Sequence, residues 1–184
     1  MKLNLPARRG LIAMAACSFA VAGAADASAQ TAATGGFSSE AASLPAAAAK
    51  IAMAPDGRRA IAPAGAPEAV VKAVAAANRI TRKPYKWGGG HGRWRDTGYD
   101  CSGSVSYVLH AAGLLKRPRN STGFMSYGQR GRGSWITVYA HGGHAYMTIA
   151  GLRFDTSGAG EDGPRWRPEP RSGAGFVKRH PVGL

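Results

Sequence analysis

An α+β fold is predicted by the order of patterns along this 184-residue chain. Two stretches of helical periodicity come first, at residues 67–80 and 101–112, and β-branched or aromatic stretches come afterwards. The later stretches are separated by Gly-rich and Pro-rich turns, which suits strands paired antiparallel rather than βαβ units. No segment recurs at a fixed period, so solenoids and repeat arrays are excluded.

Residues 1–29 read as a secretory signal. Lys2, Arg8 and Arg9 form a basic start, Leu11 to Ala25 is apolar, and Ala27-Ser28-Ala29 suits cleavage before Gln30. The apolar run is short for a bilayer span. The mature chain is therefore expected to be secreted, extracellular or periplasmic, with no stable membrane insertion after cleavage. Residues 30–66 are dominated by Ala, Gly, Ser and Pro and read as a disordered linker, because so little apolar bulk cannot offset the ordering entropy. Residues 67–184 form the expected folded domain.

The first helix opens at Pro67-Glu68 and carries Val70, Val71, Val74, Ala77 and Ile80 at near-helical spacing. A Gly-rich loop, Tyr85 to Gly90, follows it. The second helix starts at Cys101, buries Val105, Val108, Leu109 and Ala112, and has Gly113 as its C-terminal cap. Trp135 to Tyr139 reads as a strand, and His141-Gly142-Gly143 as a turn. His144 to Ile149 and Leu152 to Asp155 form a hairpin around Ala150-Gly151, and Gly175 to Arg179 a last strand. The stretch after Ser157, rich in Gly, Pro and Arg, carries no strand signal.

The chemistry concentrates at Asp100-Cys101-Ser102-Gly103. Cys17 leaves with the signal, so Cys101 is the sole thiol of the mature chain and has no disulfide partner. At a helix start the first-turn amides and the helix dipole favour thiolate over thiol. A cysteine nucleophile needs a base and a group to orient that base. His144 opens a strand on which it shares a face with Tyr146 and Thr148. If Ala150-Gly151 is a two-residue turn, Tyr146 pairs with Asp155, which brings Asp155 diagonally beside His144. An odd-length loop would bring Thr156 there instead. His141 competes from the turn, while His91, His110 and His180 have weaker claims. No short Cys/His spacing supports a tetrahedral metal site, and no cofactor is expected.

The formal charge of +14 becomes +12 once residues 1–29, with three Lys/Arg and one Asp, are taken away. That implies an anionic environment, and export makes nucleic acid the least suitable one. Arg117, Arg119, Arg130, Arg132, Arg165, Arg167 and Arg171 supply a basic surface. Trp87, Trp94, Trp135 and Trp166 divide between core packing, the expected role of most, and sugar stacking.

Taken in order, Pro84-Tyr85-Lys86-Trp87-Gly88-Gly89, Asp100-Cys101-Ser102-Gly103, Leu115-Lys116-Arg117-Pro118-Arg119-Asn120-Ser121 and Gly143-His144 resemble the NlpC/P60 family of papain-like cysteine peptidases. The resemblance spans roughly residues 67–176. It implies an NlpC/P60 fold with N-terminal helices packed on an antiparallel sheet. It further implies a cofactor-free peptidoglycan endopeptidase that cuts stem peptides, typically between D-γ-glutamyl and diaminopimelate or Lys, and acts as a monomer on peptidoglycan and anionic wall polymers. By that resemblance Cys101 is the nucleophile, His144 the base and then acid, and Asp155 the orienting residue. Tyr85 serves the oxyanion, and Asp100 and Ser102 flank the substrate cleft. In the family the third residue is commonly His one position further along, and the Gly90 to Tyr99 loop is a few residues shorter. Two other readings of the same residues are a wall-binding protein with a degenerate site, and an amidase or acyltransferase using the same thiol.

Overall fold

Helix α1, Glu68–Ile80, and helix α2, Cys101–Ala111, cover one face of a six-stranded sheet in which every neighbouring pair runs antiparallel. The computed structural model describes residues 50–158 and 163–184. The expected signal segment, Cys17 and the first part of the expected linker lie outside the described residues.

The chain enters through two short strands, β1 (Ala52–Met53) and β2 (Ala60–Ile61), paired as a hairpin. This corrects the linker expectation for its last part. Ile51, Met53 and Ala62 pack on the core, and the Asn78 carboxamide of α1 grips both backbone groups of Ala60 at 2.9 Å. Small residues suffice there because the neighbouring helix satisfies the hairpin's outer edge, a contact that composition does not encode.

Helix α1 buries Val70, Val74, Ala77 and Ile80, as the spacing predicts, with Ala73 and Ala76 beside them, whereas Val71, read on the same face, is 44% exposed; a Glu68–Lys72 pair at 2.7 Å braces its exposed first turn. Helix α2 is buried along its first two turns, from Ser102 to Leu109, which makes it the central helix. It ends as expected at Gly113, with φ +77°. The Gly113 amide donates to His110 and the Leu114 amide to Leu109, which closes the last turn in a Schellman motif. A short helix, α3 (Ser121–Phe124), follows, capped by the Asn120 side chain on the Gly123 amide at 2.7 Å.

The sheet order is β3 (Gln129–Arg130), β8 (Val177–His180), β4 (Ile136–His141), β5 (His144–Ile149), β6 (Leu152–Asp155) and β7 (Arg165–Arg167). Three of these match the expected strands closely, and β8 starts two residues later than read. Strands β3 and β7 were not expected, because their alternation is too short and too charged to stand out, and they form by pairing with β8 and β6. The inward residues Ile136, Val138, Ala140, Ala145, Met147, Ile149, Phe154 and Trp166 join the helices in the core. The opposite face carries Thr137, Tyr139, Tyr146, Thr148 and Arg153, as the period of two requires. No helix among the described residues is long and apolar enough to cross a membrane.

Two details fix the site. The Ala150-Gly151 turn has φ of +46° and +84°, so both central residues are left-handed, and its register pairs Ile149 with Leu152 and Met147 with Phe154. The Gly-rich loop is laced to the start of α2: Lys86 N–H donates to Tyr99, Gly88 N–H to the Asp100 carboxylate, and Asp100 N–H to Gly89. A Cβ on Gly103 would collide with the Gly89 carbonyl, so glycine is required for this approach. Gly103→Ala is expected to lower unfolding stability by about 1–3 kcal/mol in denaturant titration; an unchanged midpoint would show that the loop is not seated against the helix.

Candidate active site

Cys101 sits at the first position of α2, beneath an Asp100 cap whose Oδ1 accepts the Gly103 amide at 2.6 Å. The helix therefore begins at the thiol, and its dipole and first-turn amides face that sulfur. Strand β5 approaches from the sheet. In an antiparallel ladder the backbone groups of alternate residues point to opposite neighbours. His144, Tyr146 and Thr148 are directed at β4, and Ala145, Met147 and Ile149 at β6. The β5–β6 ladder ends at Met147–Phe154, so no β6 residue meets the Ala145 amide. That amide lies on the Cys101 side instead and helps to lower the thiol pKa.

The His144 imidazole and the Cys101 thiol lie near enough to perturb each other's titration, the imidazole lowering the thiol pKa and the thiol raising that of the imidazole. His144 Nε2 lies 2.9 Å from Asp155 Oδ1, which leaves Nδ1 as the nitrogen for the thiol. Of the two residues the sequence left open, Asp155 makes this contact, in the register that the two-residue turn imposes. Asp155 is 1% exposed. Its Oδ1 also accepts the Ser157 amide at 3.0 Å and the Ser157 hydroxyl at 3.1 Å, and its Oδ2 accepts Arg171 Nη1 at 2.9 Å.

Burial opposes every charge in this array, and pairing overcomes it. For Cys101, burial pushes the thiol pKa up, but the hydrogen bond from His144, the Ala145 amide and the His144 charge bring it below its ordinary value. For His144, burial disfavours the cation, but the hydrogen bonds to Asp155 and Cys101 and their charges raise it to about 9. For Asp155, burial favours the acid, but His144, the Ser157 amide and the Arg171 charge hold it ionised. The shifts run toward a thiolate–imidazolium pair, with the thiol lowered and the imidazole raised, and the two groups titrate as a pair.

The remaining predicted site residues sit nearby in different roles. Asp100 and Ser102 are both buried; Asp100 Oδ1 accepts the Ser102 hydroxyl at 3.1 Å, and His91 Nε2 lies 3.1 Å from Asp100 Oδ1 and 3.2 Å from Ser102 Oγ. These two side chains thus hold the loop on the helix start rather than presenting free polar groups to a cleft. Tyr85 is bridged to Tyr99, two residues before Cys101, and is 39% exposed. His141 turns away: its Nδ1 accepts the Gly143 amide at 3.0 Å and its ring packs on Phe176 at 4.4 Å between centroids. Trp166 is buried, Trp94 stacks on His110 at 3.8 Å, and Trp135 packs on the core, whereas Trp87 in the Gly-rich loop is 87% exposed.

Sequence reasoning missed Arg171, Ser157, Phe176 and His91 as members of the array. Arg171 stood among the basic surface residues, yet its guanidinium lies over the rings of Tyr146 and Phe176, at 5.2 and 5.3 Å, and against Asp155. It follows a Pro/Gly/Arg stretch with no periodicity, so only the parity of Tyr146 and Asp155 hinted at a buried partner there. Two more of the supposed surface cations are turned inward: Arg119 donates to the Gly123 carbonyl and Arg165 to that of Lys83.

A thiol at a helix start, an imidazole from the facing sheet and a carboxylate behind that imidazole define the papain-like class of cysteine–histidine sites. The family comparison is more particular. The NlpC/P60 family model matches residues 82–138, from just after α1 through the Gly-rich loop and α2 into β4, so this stretch is similar to the NlpC/P60 family, and the α+β fold is consistent with that likeness. No curated protein matches the chain.

The pair has a pH signature. The thiolate is present once pH exceeds the lowered thiol pKa, and the imidazolium is lost as pH rises through about 9. Iodoacetamide is expected to alkylate Cys101 readily well below pH 8.5, the region where a free thiol first ionises. His144→Ala should move that onset up to the ordinary thiol range; an onset that the substitution leaves in place would dissolve the pair.

Proposed function

We propose that this chain is an exported cysteine endopeptidase that hydrolyses peptidoglycan stem peptides, at the bond between D-γ-glutamyl and diaminopimelate or Lys. The observation that carries the reading is the Cys101–His144–Asp155 array, with its 2.9 Å His144–Asp155 contact, in a chain whose residues 82–138 match the NlpC/P60 family model. The family's peptidoglycan-related hydrolase chemistry supplies the substrate class. The charge of +14 suits anionic wall polymers as surroundings. The chain acts as a monomer in the wall compartment.

In this mechanism the Cys101 thiolate attacks the scissile carbonyl carbon, forming a C–S bond while the carbonyl oxygen becomes an oxyanion. The Cys101 amide and the Tyr85 hydroxyl donate to that oxygen. The intermediate collapses as His144 passes its Nδ1 proton to the leaving amine, and a thioester remains. Neutral His144 then takes a proton from water, the hydroxide attacks the thioester carbonyl, and the acid departs as the thiolate and imidazolium are restored. Asp155 keeps the ring oriented through Nε2 and balances its charge in both steps. Trp87 offers an exposed face beside the Gly-rich loop for the substrate.

Digestion of purified peptidoglycan, followed by fragment analysis, tests the reading. The wild-type chain should release stem-peptide fragments with new amino termini. Cys101→Ala should fall at least roughly 10³-fold, and Tyr85→Phe roughly 10²-fold in kcat with little change in KM. Equal activity in Cys101→Ala would sink the proposal.

A further inference from the structure

The sheet face turned away from the helices holds a cavity of about 420 Å³ beside β4, β5 and β6, outside the Cys101 notch. Its lining includes Lys50, Arg132, Arg153, Arg167 and Arg171, and among the described residues Glu169 is the one carboxylate that lines it. Arg153 and Arg171 also reach Asp155, at 3.9 and 2.9 Å, whereas Lys50 and Arg132 have no ion pair among the described residues. Positive charge is thus in excess around the concavity, and a low-dielectric wall strengthens its field.

The cavity wall also carries polar atoms with no hydrogen-bond partner among the described residues. Tyr139 and Tyr146 stack at 4.6 Å between centroids with their planes 4° apart, so they meet face to face on neighbouring strands. Tyr146 is 2% exposed, and its hydroxyl finds no hydrogen-bond partner among the described residues. Arg153 Nε is likewise buried without one. An O–H and an N–H donor left unmatched at the wall of a basic cavity are both suited to the same acceptor, an anionic oxygen.

We propose that this cavity is a binding site for a multiply charged oxyanion group, with Arg153 and the Tyr146 hydroxyl as its inner donors and Lys50 and Arg132 at its rim. Guanidinium groups favour phosphate and carboxylate alike, so the shared chemistry is a cluster of anionic oxygens, carried on a phosphate ester or on a polycarboxylate. The size of the cavity exceeds what a lone ion fills and accommodates a small polyanion or one residue of an anionic polymer. The site is independent of the peptidase reading, since none of its inner donors takes part in that chemistry. It nevertheless touches the array: Arg171 lines the cavity and also donates to Asp155 at 2.9 Å.

Calorimetric titration of the full chain with inorganic pyrophosphate and, separately, with tricarballylate tests this at about 0.15 M salt, where diffuse charge attraction is screened. One saturable equivalent of at least one of the two anions is expected, and which of them binds distinguishes phosphate from carboxylate as the group recognised. Arg132→Gln and Arg153→Gln should each weaken that binding roughly tenfold or more. Lys50→Gln should also weaken it, and Arg93→Gln, an exposed cation away from the cavity, should not. Arg132 and Lys50 are exposed, so their replacement keeps the test informative even if Arg153→Gln fails to fold. Absence of saturable binding by both anions would overturn the proposal, as would equal weakening by Arg93→Gln.

Discussion

The structure depends on one meeting point, where Cys101 at the first turn of α2 lies beside the Ala145 amide of β5, which no β6 residue meets. Two backbone devices that are usually described apart act together there. The helix contributes its dipole, worth up to about 2 kcal/mol in partly buried geometry. The strand contributes a donor that is available only because the β5–β6 ladder stops at Met147–Phe154. A thiolate in that notch is stabilised before any side chain is considered. The imidazole then completes the pair, and the glycine of Asp-Cys-Ser-Gly lets the preceding loop close over the helix start without displacing the sulfur.

Burial would make the same arrangement costly if any member were missing. An isolated buried carboxylate carries a desolvation penalty of several kcal/mol, and removal of one partner from a buried pair costs about 3–5 kcal/mol. Cys101 and Asp155 supply the negative charges and His144 and Arg171 the positive ones, with Arg153 Nη1 further off at 3.9 Å from Asp155 Oδ2, so each charge in the array faces an opposite one. Arg171 Nη1 also lies 3.5 Å from His144 Nε2, a like-charge approach that is tolerated because Asp155 stands against both. Tyr146 and Phe176, packed edge to face on each other, both carry the guanidinium, at 5.2 and 5.3 Å. The result is a carboxylate that stays ionised and an imidazole whose ring has one orientation.

Much of this was legible in residues 101–155. The periodicity of Val105, Val108 and Leu109 located α2, and the parity of a two-residue turn selected Asp155 rather than Thr156, because a strand's side chains alternate without exception once the register is fixed. What escaped notice depends on contacts far apart in sequence. Strand β7 is three residues of alternating Arg and Trp and exists because β6 offers an edge. The β1–β2 hairpin, hidden in a stretch that reads as linker, is held by Asn78 from eighteen residues away, and that same carboxamide accepts the Trp166 indole N–H at 2.8 Å. Arg171 looked like a solvated cation, and its burial follows from Tyr146, Phe176 and Asp155 converging on one spot. Local pattern gives the elements that have their own period; it is silent about segments whose stability is borrowed from neighbours.

The central claim is that His144 carries its proton because Cys101 and Asp155 lie against it. Titration of the His144 imidazole by NMR tests this most directly, in the wild-type chain and in Cys101→Ser. The account predicts a transition near pH 9 in the wild type and a downward shift once the thiolate is gone. A transition near the ordinary histidine value, about 6.5, that the substitution leaves unchanged would contradict it.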